Sequence, residues 1–344
     1  MSDATVERLV LEDRHGRVAR DLRVSLTDRC NLRCVYCMPE DGLAWLPEPD
    51  SLGDDEVVRL LRIAVERLGI EEVRFTGGEP LLRRSLERII AAAASLRTSG
   101  GSAPELSLTT NGLGLDKRAA GLRAAGLDRV NISLDAVEPA RYAAISRRDR
   151  LGDVLAGIEA AIREGLSPVK INTVVMRGVN EDQVVPLVRF ALSGGYQLRF
   201  IEQMPLGPRH TWKRADLVSA DEIRALLATV FDLRPVGRDT AAAPAALWQV
   251  DGDGLPGGSV GLIASVSEPF CSSCDRTRVT SDGKVRTCLF ARTETDLLGP
   301  MRAGARDDEI AAIWAGAMWD KPAGHGIGSD GFEPPERTMS AIGG

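Results

Sequence analysis

The stretch 21-DLRVSLTDRCNLRCVYCMPE-40 places Cys30, Cys34 and Cys37 directly after a run in which Leu22, Val24 and Leu26 alternate with other residues. Such alternation reads as a strand with one face buried. The same punctuation recurs down the chain. The runs EEVRFT, ELSLTT, RVNISLD, VKINTVV and YQLRFIE also read as strands, each followed or preceded by a segment with apolar spacing near the helical period. In 54-DDEVVRLLRIAVERLG-69, for example, Val57, Leu60, Leu61, Ala64, Val65 and Leu68 share one face, acidic residues fill the first turn and Gly69 supplies a stop. Strands alternating with helices argue for a parallel sheet with helical crossovers. The unusual polar residues gather where strands end: the cysteines after the first, TGGEP after the second, TTNG after the third, SLDA at the fourth and Met204 after the sixth. In a closed or partly closed parallel barrel those ends form one rim, where barrel active sites are built.

At 344 residues the chain exceeds what one core ordinarily organises. The segment 237-GRDTAAAPAALWQVDGDGLPGG-258 reads as a low-complexity break. The expected division is a barrel with an N-terminal arm over 1–236 and a C-terminal region over 237–344. Beyond the break the grammar changes, and SVGLIASVS and RVTSDGKVRTCLF read as antiparallel strands, with Asp282 and Gly283 forming a hairpin turn. The net charge of -6, with Lys and Arg scattered singly, argues against extended nucleic acid as a partner. No apolar run approaches the roughly 20 residues that span a bilayer. The N-terminus lacks the basic-then-apolar pattern of a signal peptide, so a cytoplasmic protein is expected. In a reducing compartment clustered cysteines read as metal ligands or catalytic thiols.

Cys30, Cys34 and Cys37 can hold three corners of a 4Fe-4S cube and leave one iron open to a small chelating ligand. Cys271, Cys274 and Cys288 repeat the pattern across the expected hairpin, and the two triads use every cysteine in the chain. Zinc is the alternative, with a fourth ligand borrowed from elsewhere; His15, His210 and His325 are the histidines available, none at a finger-like spacing. A catalytic cysteine is another. Spacing alone leaves these open.

The motif CNLRCVYC, with an aromatic residue before its last cysteine, and the companion TGGEP resemble the signature of radical S-adenosylmethionine enzymes. That resemblance implies a partial (β/α)6 barrel, with an antiparallel C-terminal extension carrying the second cluster. DLRVSLTDRCNLRCVYCMPE, RFTGGEPLLR, LTTNGL, NISLDA, FCSSCDRTRVTSDGKVRTCLF and the terminal IGG together narrow it to the GTP 3',8-cyclases of molybdenum cofactor biosynthesis.

The resemblance assigns roles by position. Cys30, Cys34 and Cys37 would hold the cluster that cleaves S-adenosylmethionine, with Tyr36, Gly78, Ser133 and Met204 contacting that cofactor. Missing side chains at Gly77 and Gly78 would let backbone approach its amino group. Cys271, Cys274 and Cys288 would hold a second 4Fe-4S cluster whose open iron meets guanine. Arg23, Arg74, Thr109, Lys170, Arg276, Thr277 and Arg278 would bind GTP, because triphosphate oxygens pair with guanidinium groups. Arg276 and Arg278, two residues apart on a strand beside the cluster ligands, face the same side and carry the catalytic expectation. No GxxxxGK-S/T loop is present. Glu72 stands where several relatives carry Lys, which puts a phosphate contact there in doubt. Gly343 and Gly344 would reach into the active site.

The implied partners are an electron donor such as flavodoxin or ferredoxin and, downstream in the pathway, cyclic pyranopterin monophosphate synthase; a monomer or homodimer is expected. The rival readings are a peptide-modifying maturase of the same superfamily, and a zinc-stabilised binding module.

Overall fold

The computed structural model describes residues 9–208 and 212–343. His210 and Gly344 lie outside the described residues.

The six expected strands form as β1 (Asp21–Ser25), β2 (Glu72–Thr76), β3 (Glu105–Thr110), β4 (Arg129–Ser133), β5 (Val169–Val175) and β6 (Gln197–Glu202). They lie side by side in chain order, all parallel. The helical periodicity is realised between them, as in helix Asp54–Arg62, whose face of Val57, Leu60 and Leu61 is buried. A further turn carries Ala64 and Val65, and Gly69 ends it at φ +76°.

The C-terminal third extends both edges of this sheet. The remaining strands are β7 (Asp232–Gly237), β8 (Ala246–Asp251), β9 (Gly258–Ile263), β10 (Arg276–Val279), β11 (Lys284–Arg286) and β12 (Thr295–Asp296). β9 adds parallel to β6 and carries β8 and β7 antiparallel beyond it. β10 adds parallel to β1 and carries β11 and β12. The sheet therefore runs β12-β11-β10-β1-β2-β3-β4-β5-β6-β9-β8-β7 and is not closed, a partial barrel with antiparallel wings.

Two expectations change here. The stretch read as a low-complexity break contains β8, a short strand hidden among Ala, Pro and Gly. SVGLIASVS does not pair with the hairpin but lies on the far side of the sheet, between β6 and β8 and antiparallel to β8. The hairpin turn itself forms, with Gly283 at φ +72°.

Alternation divides each strand between two environments. Leu22, Val24, Val73, Phe75, Leu106, Leu108, Val130, Ile132 and Ile171 are buried in the main hydrophobic cluster, which the helices share. Each such side chain contributes about 1.5–3 kcal/mol by burial. The alternate positions, including Asp21, Arg23, Glu72, Arg74, Ser107, Asn131, Asn172 and Arg199, are polar and face inward. An interior that is polar where barrels are ordinarily packed with branched apolar side chains is built around something other than itself.

Candidate active site

A cavity of about 290 Å³ occupies the rim and interior of the partial barrel, and all six cysteines line it. The N-terminal triad sits on the loop after β1. This loop is held by the TGGEP turn: Gly78 N donates to Thr27 O at 2.7 Å and Glu79 N to Arg29 O at 2.7 Å. A Cβ on Gly77 would lie 2.4 Å from Thr27 O, and one on Gly78 would lie 2.3 Å from Arg29 O. These glycines are thus required by the cysteine loop itself, a different reason from the ligand approach expected of them.

The thiols of this triad are buried together. Burial pushes Cys30 up to about 11 and Cys37 up to about 12, and it raises Cys34 well above the ordinary thiol value with Asp135 adding to the effect. Their ionisation needs a cation among them, and coordination to iron supplies one by deprotonating the thiol outright. The donors that reach Cys30 Sγ are neutral: Leu32 N at 3.5 Å and Asn111 Nδ2 at 3.8 Å.

The second triad is assembled by the hairpin. Cys271 and Cys274 lie in the turn before β10, and Cys288 follows β11. Although burial opposes it, Arg276 and Lys321 bring the Cys274 thiol below its ordinary value. Among the described residues no three His, Cys, Asp or Glu side chains converge closely enough to hold one metal ion. Three thiols at each triad could hold three corners of a 4Fe-4S cluster.

Between the triads lies a cationic surface. The strand register sets Arg278, Arg23 and Arg74 side by side across β10, β1 and β2, and all three line the cavity with Arg276 and Arg199. Strands are about 4.8 Å apart, and two like charges at about 5 Å repel by about 3 kcal/mol at an effective dielectric of ~20. Arg23 reaches Asp21 at 3.8 Å, and its pKa falls well below the usual guanidinium value through burial and then Arg74 and Arg278. Burial and Arg276 take Arg278 down to about 10, while burial and then Arg74 take Arg199 to about 10. Buried polar atoms here lack partners: Asp21 Oδ1, Arg23 Nε, Arg129 Nη1, both side-chain polar atoms of Asn131, and Asn172 Oδ1. Buried polar groups are ordinarily hydrogen-bonded, and the unpaired Arg23 Nε with its neighbouring guanidinium groups fits a polyanion with hydrogen-bonding oxygens.

Of the residues expected at the cofactor, Tyr36, Gly78, Ser133 and Met204 all line the cavity. Tyr36 O–H donates to Asp135 Oδ2 at 2.9 Å. Of those expected at the nucleotide, Arg23, Arg74, Thr109, Arg276 and Arg278 line it, whereas Lys170 and Thr277 do not. Thr277 lies between two inward arginines and so points the other way, where its hydroxyl accepts from Trp314 Nε1 at 3.0 Å. Lys170 shares the inner face with Asn172 but sits at the start of β5, below the lining residues; burial and then Arg199 and Arg129 bring its ammonium down to about 7. Glu72 lies 3.5 Å from Arg129, and Gly343 O accepts from Arg278 Nη1 at 3.2 Å. A Cβ on Gly343 would meet Thr76 Oγ1 at 2.6 Å, so the chain end threads a gap only glycine fits.

Other residues at the site were not singled out in the sequence. Arg199 and Asn172 carry the inner-face parity of β6 and β5, which is their only signal. Glu79 accepts from Leu81 N, Thr110 Oγ1 and Asn111 N at 2.7–2.9 Å and so ties the ends of β2 and β3 together; burial pushes its carboxyl up to about 7. Asp135 orients Tyr36 and accepts from Val174 N at 2.9 Å.

Residues 24–191 match the Radical SAM superfamily model, and residues 196–327 match Molybdenum Cofactor Synthesis C. A GTP 3',8-cyclase of Corynebacterium glutamicum strain ATCC 13032 is 62% identical over 337 residues, covering 97% of this chain and 89% of that protein. One from Mycobacterium marinum is 60% identical over 335 residues, covering 97% and 92%. Among solved structures, Streptococcus suis SuiB bound to S-adenosylmethionine superposes with a TM-score of 0.56 at 14% identity, covering 92% of this chain and 69% of that one.

Proposed function

Because this chain belongs to the GTP 3',8-cyclase family of radical S-adenosylmethionine enzymes, we infer that its two thiol triads and the arginines between them order two cofactor clusters around one nucleotide. The protein converts GTP to 3',8-cyclo-7,8-dihydro-GTP, the first step of molybdenum cofactor biosynthesis. The observation that carries the residue assignment is that both incomplete triads and a row of adjacent arginines face a single cavity.

In this reading Cys30, Cys34 and Cys37 hold one 4Fe-4S cluster and Cys271, Cys274 and Cys288 the other. When bound, the first cluster and S-adenosylmethionine supply hydrogen-atom abstraction from the ribose C3' of GTP, chemistry that belongs to the cofactor. The chain's own residues do the positioning. Tyr36, Gly78, Ser133 and Met204 border S-adenosylmethionine, with Asp135 fixing the Tyr36 ring. Arg23, Arg74, Arg199, Arg276 and Arg278 pair with the triphosphate, and Thr109 borders the nucleotide. The Cys271–Cys274–Cys288 side receives guanine, holding C8 toward C3'. Phe270, Leu289, Phe290 and Met339 line the same cavity and exclude water, which a carbon radical requires.

Residues 1–236 carry the cofactor-binding side and share the nucleotide, through Arg23, Arg74, Thr109 and Arg199, with residues 237–344, which carry the second triad. An electron donor of the flavodoxin or ferredoxin kind and a downstream cyclic pyranopterin monophosphate synthase complete the scheme, in the cytoplasm. No helix among the described residues is long and apolar enough to cross a membrane. The maturase reading gives no account of the arginine row that lines the cavity.

The test is anaerobic reconstitution with iron and sulfide counted, then incubation with dithionite, S-adenosylmethionine and GTP, with products read by mass spectrometry. About eight irons per chain, 5'-deoxyadenosine and a cyclised product of GTP are expected. Deoxyadenosine without consumption of GTP would reassign the substrate.

A further inference from the structure

Lys321 is 3% exposed and follows helix Asp307–Trp319. Its Nζ donates to Cys274 O at 2.8 Å and to Arg276 O at 2.9 Å, and it lies 3.4 Å from Cys274 Sγ. An ammonium has three donors, and all three are directed at the start of β10. No step described above uses this residue.

A buried lysine whose only task was to satisfy two carbonyls would be an expensive choice, since the effective penalty for burying an ion is several kcal/mol. Neutral donors would serve. Among the described residues Lys321 makes no salt bridge within 4.0 Å, and the ionisable group its ammonium touches is the Cys274 thiol. The segment that carries it is braced: Arg17 Nη2 donates to Pro322 O at 2.6 Å, and Arg17 Nη1 donates to Ala323 O at 3.0 Å and to Cys271 O at 2.7 Å. Arg17 is itself neutralised by Asp13 at 2.6 Å. The arm and the post-helix segment thus clamp both ends of the Cys271–Cys274 turn, and of the two cations in this clamp Lys321 is the one whose donor reaches a sulfur. At the other triad the corresponding donors are neutral.

Hydrogen bonds to cluster sulfurs and the local charge set reduction potentials. We propose that Lys321 is a positioning residue of the C-terminal cluster: its ammonium on Cys274 Sγ raises that cluster's reduction potential and fixes the Cys274–Arg276 backbone, so that cluster and Arg276 address the same substrate. This rests on the two-cluster reading above. A higher potential keeps the second cluster oxidised when the first is reduced, and so free to act as a ligand for guanine.

The test is an electron paramagnetic resonance redox titration of reconstituted full-length protein, in which the N-terminal cluster serves as the internal reference. Lys321→Gln and Lys321→Met are expected to lower the midpoint of the C-terminal cluster by a tenfold change in its reduction equilibrium, about 59 mV for one electron. The N-terminal midpoint stays put, and Lys321→Arg restores most of the shift. An unmoved C-terminal midpoint in Lys321→Gln, both midpoints moving together, or loss of the second cluster's iron from both neutral variants would each overturn the proposal. A wild-type chain that binds only one cluster would instead overturn the reading on which it rests.

Discussion

The two cysteine triads contain the same number of thiols but differ in the charges around them, most clearly at Cys274. Around Cys30, Cys34 and Cys37 the nearby ionisable groups include Glu79 and Asp135, and burial with those carboxylates keeps the thiols from ionising alone. Around Cys274 stand Arg276 and Lys321, whose charges outweigh burial. Reduction adds an electron, so anionic surroundings lower a cluster's potential and cationic surroundings raise it. The first setting suits an electron source able to split a sulfonium. The second suits a cluster that stays oxidised beside a polyanionic substrate. A shared ligand count thus conceals a division of roles that the neighbouring charges reveal.

Cysteine substitutions break the comparison most sharply. Cys34→Ser is expected to abolish both 5'-deoxyadenosine and cyclised product. Cys274→Ser should retain deoxyadenosine formation with dithionite while abolishing the cyclised product. Both are measurable by mass spectrometry of quenched reactions; equal loss of both products in the two variants would erase the distinction. Next in size come Arg276→Ala and Arg278→Ala. Each removes a guanidinium that lines the cavity and is proposed to pair with the nucleotide, and an electrostatic contact of that kind is worth about 3–4 kcal/mol, or roughly 10²–10³ in rate. Cyclisation should fall by that factor, and deoxyadenosine formation much less.

The sequence made the six strands and both triads legible because alternation and cysteine spacing are local signals. What it hid depended on knowing which face is inside. Arg199 on β6 reads as one more solvated charge until the inner face is seen to be a cavity. Thr277 could be grouped with its neighbours Arg276 and Arg278 only by ignoring strand parity, which turns it toward Trp314. β8 was lost in a stretch whose Ala, Pro and Gly content resembles a linker. Glu79 and Asp135 sat inside quoted motifs, but their hydrogen bonds join strand ends that are remote in sequence.

A pH experiment sharpens the role of Lys170. Burial and neighbouring cations hold its ammonium near 7 in the free protein, whereas an unfolded lysine titrates at about 10.4. Between those values the unfolded state binds more protons, so this residue's contribution makes stability rise with pH across that window. Triphosphate binding should draw a proton back onto it. GTP affinity is expected to weaken as pH rises through about 7, by up to tenfold per pH unit for one linked proton. Calorimetry in buffers of different ionisation heat reads the uptake, which Lys170→Met should abolish. An uptake that survives the substitution would place Lys170 outside the nucleotide site.

The smallest expected effect tests what joins the two triads. Arg337 donates to Asp282 Oδ1 at 3.0 Å and Oδ2 at 2.7 Å, and to Glu294 Oε2 at 2.8 Å. It pins the tail to the C-terminal hairpin just before helix Met339–Ile342, and Met339 and Ser340 then line the cavity. The Asp282 carboxyl is held down to about 2 by Arg337 and Thr280 despite partial burial. A depressed carboxyl stabilises above its unfolded value of about 3.9 and loses that contribution as pH falls toward its folded value. Arg337→Ala should therefore cost about 1 kcal/mol at neutral pH, allowing for solvent around this partly exposed pair. Urea unfolding of the iron-free chain at about pH 6 and about pH 3 should show that difference shrinking at the lower pH. The functional consequence is a looser tail: Gly343 would hold Arg278 less firmly, and more deoxyadenosine would form per cyclised product. If the variant loses stability but keeps its coupling ratio, the tail is an ornament of the hairpin, and the two triads communicate through the substrate alone.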